Sequence, residues 1–92
     1  MRRNLRPPEV AAPLAGAALL TVYSRQNCHL CDDMLQGLRA HGVAVDVVDV
    51  DSNEDLRERY GAGVPVLCHG DTEICRYHLD MARLQAHLAT LN

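Results

Sequence analysis

The sequence of 92 residues contains no phenylalanine, no tryptophan and no lysine. Its aromatic residues are Tyr23, Tyr60 and Tyr77, so a core must be built from Val, Leu, Ala and Met. A surface that stacks nucleic-acid bases needs exposed aromatic side chains, and this composition argues against one. No apolar run approaches the roughly 20 residues that span a bilayer. We therefore expect a small protein that binds neither nucleic acid nor membrane.

The N-terminal segment differs in composition from the rest of the chain. Three arginines lie in its first six residues, so the remainder is more acidic than the net charge of −3 indicates. Its start loosely resembles a secretory signal, but Pro7, Pro8 and Pro13 interrupt the apolar region that a signal needs. We expect residues 1–17 to form a disordered tail, residues 18–92 to form one domain, and the protein to be a cytoplasmic monomer.

Four cysteines in a chain of this size do not have the density of a secreted disulfide scaffold. Two of them form the motif Cys28-His29-Leu30-Cys31, which follows a strand-like apolar run and opens a helix-like one. At a helix N-terminus, unpaired N–H groups and the helix dipole lower the pKa of a thiol. The motif therefore predicts Cys28 as the nucleophile and Cys31, one turn further on, as the resolving thiol.

The hydrophobic pattern predicts the element order β-α-β-α-β-β-α. The predicted strands are residues 18–23, 43–50, 64–68 and 73–77, and the predicted helices start near residues 31, 54 and 80. This order, with a Cys-X-X-Cys between the first strand and the first helix, is typical of the α/β thioredoxin fold. We expect a four-stranded mixed sheet flanked by helices.

Two segments resemble the glutaredoxin-like proteins of the thioredoxin superfamily. Residues 21–31, Thr-Val-Tyr-Ser-Arg-Gln-Asn-Cys-His-Leu-Cys, match the active-site segment. Residues 60–66, Tyr-Gly-Ala-Gly-Val-Pro-Val, match the second motif, in which the family has a cis Val-Pro bond. The resemblance, which spans residues 19–92, implies a thiol–disulfide oxidoreductase that reduces protein disulfides or glutathione mixed disulfides. It also implies no bound cofactor, with glutathione as a candidate co-substrate.

The same resemblance implies roles in substrate binding for further residues. Arg25 matches a basic residue near the nucleophile, and it can stabilise a thiolate, hold a substrate carboxylate or remain solvated. A cis bond between Val64 and Pro65 would turn the Val64 backbone toward the cysteines, where it can pair with an extended peptide or glutathione. Asp80 can meet the amino group of glutathione, although capping of the last helix explains it equally well.

Two departures from the family pattern place the chain in a divergent glutaredoxin-like subgroup. His29 and Leu30 stand where dithiol glutaredoxins have Pro-Tyr, and residues 75–80 lack the Gly-Gly-X-X-Asp pattern associated with glutathione. An imidazolium beside the thiolate would stabilise the reduced form and make the disulfide more oxidising. Thiol chemistry is therefore better supported than glutathione recognition.

Two other classes of protein remain open at this stage. The first is a non-catalytic thioredoxin-like binding module, which would carry no thiolate at neutral pH. The second is a zinc or iron–sulfur protein. Six residues separate Cys68 from Cys75, a wider spacing than in the short knuckles of zinc ribbons. We expect no metal, and we expect these two cysteines to be separate buried thiols. Histidines expected at the surface or at helix ends are His41, His69, His78 and His87.

Overall fold

The computed structural model describes residues 20–90. The elements in this range are β1 (Leu20–Ser24), α1 (His29–Ala40), β2 (Val45–Asp49), α2 (Glu54–Tyr60), β3 (Val66–His69), β4 (Thr72–Arg76) and α3 (Met81–Ala89). Short 3₁₀ turns, Val50–Ser52 and Gly61–Gly63, flank α2. Within this part of the chain, no helix is both long and apolar enough to cross a membrane. The tail predicted over residues 1–17 lies outside the described residues.

The four strands form one mixed sheet in the order β2-β1-β3-β4. β1 is parallel to β2, and α1 makes the crossover between them, as a parallel pair requires. β3 runs antiparallel to both β1 and β4. The predicted thioredoxin fold with a four-stranded mixed sheet is therefore confirmed.

The two faces of the sheet bury two separate apolar clusters. Successive side chains of a strand point to opposite faces, so Val66 and Cys68 of β3 lie in one cluster and Leu67 lies in the other. The larger cluster packs against α1 and α3, and the smaller one packs against α2. The larger cluster consists of Leu20, Val22, Met34, Leu38, Leu67, Ile74, Cys75 and Leu84, and the smaller of Val50, Tyr60, Val66 and Cys68.

Two boundaries near α1 differ from the sequence prediction. The helix begins at His29 rather than near residue 31, because its N-cap is Cys28. β2 begins at Val45 rather than at residue 43, because the Val43 N–H donates to the Leu38 carbonyl at 2.9 Å. This hydrogen bond ends α1 and occupies a donor that a longer β2 would use.

The hairpin strands are also displaced from their predicted bounds. β3 begins at Val66 rather than at residue 64, because Pro65 has no N–H to donate to a sheet. β4 ends at Arg76 rather than at residue 77, because Tyr77 adopts a φ of 70°. A residue whose backbone lies in that left-handed region cannot continue a strand.

Each of the four strands has one terminus at the same end of the sheet. β1 and β2 end side by side, with Ser24 opposite Asp49. β3 begins there, since Val66 is opposite Tyr23, and β4 ends there, since Arg76 is opposite Val66. The loop that leads into α1, the segment that precedes β3 and the segment that follows β4 therefore lie together. We call this end of the strands the site end of the sheet.

Candidate active site

Cys28 and Cys31 form a disulfide at the N-terminus of α1, with their Cα atoms 5.2 Å apart. Cys28 is the N-cap residue, and its Sγ accepts the N–H of Cys31 at 3.1 Å. Its carbonyl accepts the N–H of Asp32, also at 3.1 Å, which closes the first helical turn. A sulfur in this position faces the N–H groups and the dipole end that stabilise a thiolate.

The two cysteines differ in their exposure to solvent. Cys28 is half-buried, whereas Cys31 is 1% exposed and faces the core beside the equally buried Met34. The helix produces this difference, because the N-cap lies outside the first turn and the residue three positions on faces inward. Of the two cysteines, Cys28 is therefore the one that is open to a disulfide in another molecule.

His29 lies between the two cysteines in sequence but is directed along the surface of α1. Its side chain is 87% exposed, and its Nε2 lies 3.5 Å from a carboxylate oxygen of Asp33, one turn further on. The charged partner of the imidazole in this structure is therefore an aspartate on its own helix.

Arg25 is held by two acceptors at the site end of the sheet. Its Nε and Nη2 donate to the Asp51 carboxylate at 2.8 and 3.1 Å, and its Nη1 donates to the Gly61 carbonyl at 2.9 Å. The paired geometry is the strong, planar one that arginine makes with a carboxylate. Arg25 thus connects the loop before α1 to the 3₁₀ turn that precedes Val64.

Asp51 is a residue of the site region that the sequence analysis missed. Asp51 lies two residues after the end of β2, and Arg25 lies one residue after the end of β1. Because the two strands are parallel and end in register, residues just beyond their ends must meet. The element order places both residues just after parallel strands. The contact between them could be predicted only once the pairing of β1 with β2 was known.

The ion pair predicts a pH-dependent contribution to stability. Hydrogen bonding from Arg25 is the main cause that holds the pKa of the Asp51 carboxyl below its ordinary value, and Arg57 adds to it. A lowered native pKa means that the unfolded state binds the proton more readily, so this contribution is present at neutral pH. It is lost as the pH falls from the unfolded to the native pKa.

We expect Asp51→Asn to be less stable than the native protein at neutral pH, and the two to converge in acid. Urea denaturation from neutral pH downward measures this difference. Asp46→Asn is the matched control, because Asp46 is exposed on β2 and should show no such convergence. A difference between Asp51→Asn and the native protein that stays constant with pH would contradict the ion pair.

Val64 and Pro65 lie at the site end, directly before β3. The peptide bond between them is cis. Because Val66 is opposite Tyr23 in β1, this segment lies beside the loop that carries Cys28. The Pro65 carbonyl accepts the N–H of Tyr77 at 2.8 Å, so the segment is also connected to the end of β4.

Asp80 is the N-cap of α3, where its Oδ1 accepts the N–H of Arg83 at 3.0 Å. It also lines an open cavity of about 510 Å³ between β4 and α3. Charged side chains from both elements reach this cavity. Its lining residues are Glu73, Cys75, Arg76, His78, Leu79, Asp80, Met81 and Arg83.

Cys68 and Cys75 are free, buried thiols on opposite faces of the sheet. Cys75 is opposite Leu67, and residues directly opposite each other share a face. Cys68 follows Leu67 and therefore points to the other face, where it packs near Tyr60. Burial raises the pKa of both thiols. The prediction of two separate buried thiols is confirmed.

Metal ligands do not cluster in residues 20–90: no group of three or more His, Cys, Asp or Glu side chains could hold an ion there. One contact that the sequence analysis missed joins His69 at the end of β3 to His87 in the last turn of α3. Their Nδ1 and Nε2 atoms are 2.7 Å apart. Only the packing of α3 against the sheet brings these two distant residues together.

The fold and the cysteine pair define a thioredoxin-fold protein with a dithiol site at the start of its first helix. The sequence matches the family described as Glutaredoxin-like domain (DUF836) over residues 19–89. The chain belongs to this family, and its resemblance to glutaredoxin-like proteins is confirmed.

Several solved structures are similar to this chain. The X-ray structure of protein XcR50 from X. campestris is 36% identical, with a TM-score of 0.64, covering 77% of this chain and 96% of that one. The solution structure of protein Ne2328 from Nitrosomonas europaea is 32% identical, with a TM-score of 0.67 and coverages of 95% and 98%. The holo form of glutaredoxin C1 from populus tremula x tremuloides, 22% identical with a TM-score of 0.58, covers 86% of this chain and 91% of its own; this likeness shows the fold alone. Among curated proteins, none matches this sequence.

Proposed function

We propose that the protein is a thiol–disulfide oxidoreductase that acts through Cys28 and Cys31. One observation carries the proposal: a reachable sulfur caps the first helix, and a second sulfur, buried behind it, is bonded to it. The helix N-terminus favours the thiolate of Cys28 in the reduced protein. The buried position of Cys31 lets it react with Cys28 while a bulky substrate cannot reach it.

The exchange has two steps, and the first forms a mixed disulfide. The Cys28 thiolate attacks one sulfur of the substrate disulfide, so a Cys28–substrate bond forms and the other substrate sulfur leaves as a thiolate. In the second step, the thiolate of Cys31 attacks Cys28 Sγ and releases the remaining substrate sulfur. Two electrons pass from the protein dithiol to the substrate. Two molecules of an external thiol such as glutathione then restore the dithiol through a mixed disulfide and leave as their own disulfide.

The substrate side of the proposal assigns docking to the segment before β3. The Val64 backbone would pair with an extended chain that presents its disulfide to Cys28. Proximity of this segment to the Cys28 loop at the site end supports the assignment. Substrates would be disulfide-containing proteins or glutathione mixed disulfides.

Two further residues are proposed to assist substrate binding. Arg25 would act by holding the Cys28 loop against the Gly61 carbonyl, since its donors already have acceptors there. Asp80, which lines a cavity together with Arg76 and Arg83, would meet the amino group of glutathione. A reducing compartment, the cytoplasm, would keep Cys68 and Cys75 as the thiols that the structure contains.

Titration of Cys28 in the reduced protein tests this proposal. We expect its pKa to lie below the free-cysteine value of about 8.5 because of its position at the helix N-terminus. Ultraviolet thiolate absorbance, compared between the native protein and Cys28→Ser, measures it. Equilibration with thiol redox buffers should then give a reversible dithiol potential.

A Cys28 thiol that titrates at or above the free value, without a reducible disulfide, would overturn the redox function and indicate a binding module. Metal analysis of freshly purified, untagged protein tests the remaining class. Stoichiometric zinc or a coloured cluster would likewise overturn the proposal.

A further inference from the structure

Tyr77 is an exposed aromatic residue in a strained backbone conformation at the site end of the sheet. The residue is 44% exposed, and its φ is 70°. The N–H of His78 donates to the Arg76 carbonyl at 2.8 Å, which closes a γ-turn around it. A bulky L-residue seldom adopts this φ, because its Cβ crowds the backbone, so such a turn persists only where its surroundings hold it.

Contacts at both ends hold Tyr77 in this conformation. At the backbone, its N–H donates to the Pro65 carbonyl at 2.8 Å. At the tip of the side chain, its hydroxyl lies 3.3 Å from the position that a Cβ on Gly63 would take, and the Arg76 guanidinium contacts the same position. The tyrosine is therefore fixed against the segment that precedes β3.

Arg76 is itself held in place by an acidic neighbour. Its Nε and Nη2 donate to the two carboxylate oxygens of Glu73 at 2.9 and 2.8 Å. This pairing orients the guanidinium toward Gly63, which has no side chain to obstruct it. Gly63 and Arg76 thus act together to form the support on which the Tyr77 hydroxyl rests.

The sheet order determines what Tyr77 can contact. β3 lies between β1 and β4, so the Val64–Pro65 segment lies between the loop of Cys28 on one side and Tyr77 on the other. A polypeptide that docks on the Val64 backbone and presents a disulfide to Cys28 extends along the site end, where the exposed ring lies. A rigid aromatic ring offers a large contact area at little cost in conformational entropy.

We propose that Tyr77 is a specificity-determining residue that contacts the chain flanking the substrate disulfide. The preferred substrate is a protein disulfide with an aromatic or large apolar residue beside the reacting cysteine, rather than a low-molecular-weight disulfide. This inference rests on the proposed oxidoreductase function and adds no step to its exchange. Arg76 and Gly63 are positioning residues for the ring.

Two disulfide-bonded peptides, identical except for phenylalanine or glycine beside the cysteine, test the inference. The readout is the ratio of kcat/KM for the phenylalanine peptide to that for the glycine peptide. We expect Tyr77→Gly to lower this ratio about tenfold, the effect of losing one aromatic contact of about 1.4 kcal/mol. Tyr77→Phe keeps the ring and should keep the ratio.

Glycine is chosen because it adopts a positive φ without strain. Tyr77→Gly should therefore be at least as stable as the native protein, which separates a role in recognition from a role in folding. Val47→Ala is the matched control, since Val47 is a large apolar side chain, 54% exposed, on the edge strand β2. It should leave both stability and the ratio unchanged.

Gly63→Ala provides a second variant in which Tyr77 is retained. Its Cβ would displace the Arg76 guanidinium, the end of a flexible side chain, and remove the support of the ring. We expect the peptide ratio to fall here as well, by less than in Tyr77→Gly.

The possible results distinguish the role of Tyr77 from the oxidoreductase function on which it rests. Turnover of both peptides by the native protein, with a ratio that Tyr77→Gly leaves unchanged, would overturn the role of Tyr77 and leave the oxidoreductase intact. A ratio that falls equally in Tyr77→Phe would also overturn it, because the ring would not be the recognised group. Absence of turnover of either peptide by the native protein would instead refute the proposed function.

Discussion

Replacing Cys28 with serine should reduce disulfide turnover to the uncatalysed rate, because a hydroxyl does not attack a disulfide sulfur at neutral pH. Cys31→Ser should behave differently, since the first exchange needs only the sulfur of Cys28. We expect this variant to form the mixed disulfide and to release the substrate only when an external thiol, such as glutathione, resolves it. Insulin reduction and deglutathionylation, assayed side by side, measure the two steps.

The other two thiols of the described domain provide the control for this prediction. Cys68 and Cys75 are buried on opposite faces of the sheet, and burial raises the pKa of each. The double variant Cys68→Ala/Cys75→Ala should therefore turn over both substrates at a rate close to native. Activity that follows these two cysteines and survives Cys28→Ser would contradict the assignment of the nucleophile.

Truncation of Leu84 should cause the largest loss of stability among substitutions in α3. Leu84 is fully buried and is the buried residue through which this helix joins the larger cluster. Leu84→Ala should lower the free energy of unfolding by about 2–5 kcal/mol through lost burial and the cavity left behind. A domain of this size is stable by only about 5–15 kcal/mol, so much of the native margin would be lost.

Urea denaturation at equilibrium measures this effect, with Gln85→Ala as the matched control. Gln85 neighbours Leu84 on the same helix but is exposed, so its truncation should change stability by no more than about 0.5 kcal/mol. Alanine favours the helix at both positions, so helix propensity cannot produce the expected loss. A change in Leu84→Ala as small as that in Gln85→Ala would contradict the stabilising role of Leu84 packing.

The order of helices and strands could be predicted because each element has a recognisable pattern in its own residues. The Val-rich run near residue 45 alternates as a strand, and α2 begins at the predicted position, residue 54. The position of Cys28 before α1 followed from the same pattern. Such signals depend on neighbouring residues alone, so a single sequence contains them.

Boundaries were harder to predict because they depend on hydrogen bonds to other parts of the chain. The strand predicted to include Tyr77 ends at Arg76, because Tyr77 adopts a φ of 70°. Contacts with Pro65 and Gly63 hold it in that conformation. Val43 was likewise assigned to a strand, although its N–H closes the end of α1. In each case, a partner outside the local pattern decides where the element stops.

The element order, the family resemblance and the cysteine that caps the first helix can all be read from the sequence. These features follow from periodicity, capping and motif spacing, which act over a few residues. The pairing of Arg25 with Asp51 and the contacts of Tyr77 with Gly63 and Pro65 are visible only in the folded chain. Each of these contacts joins residues on different strands or turns, and they meet because strand pairing brings all four strand ends to one edge of the sheet.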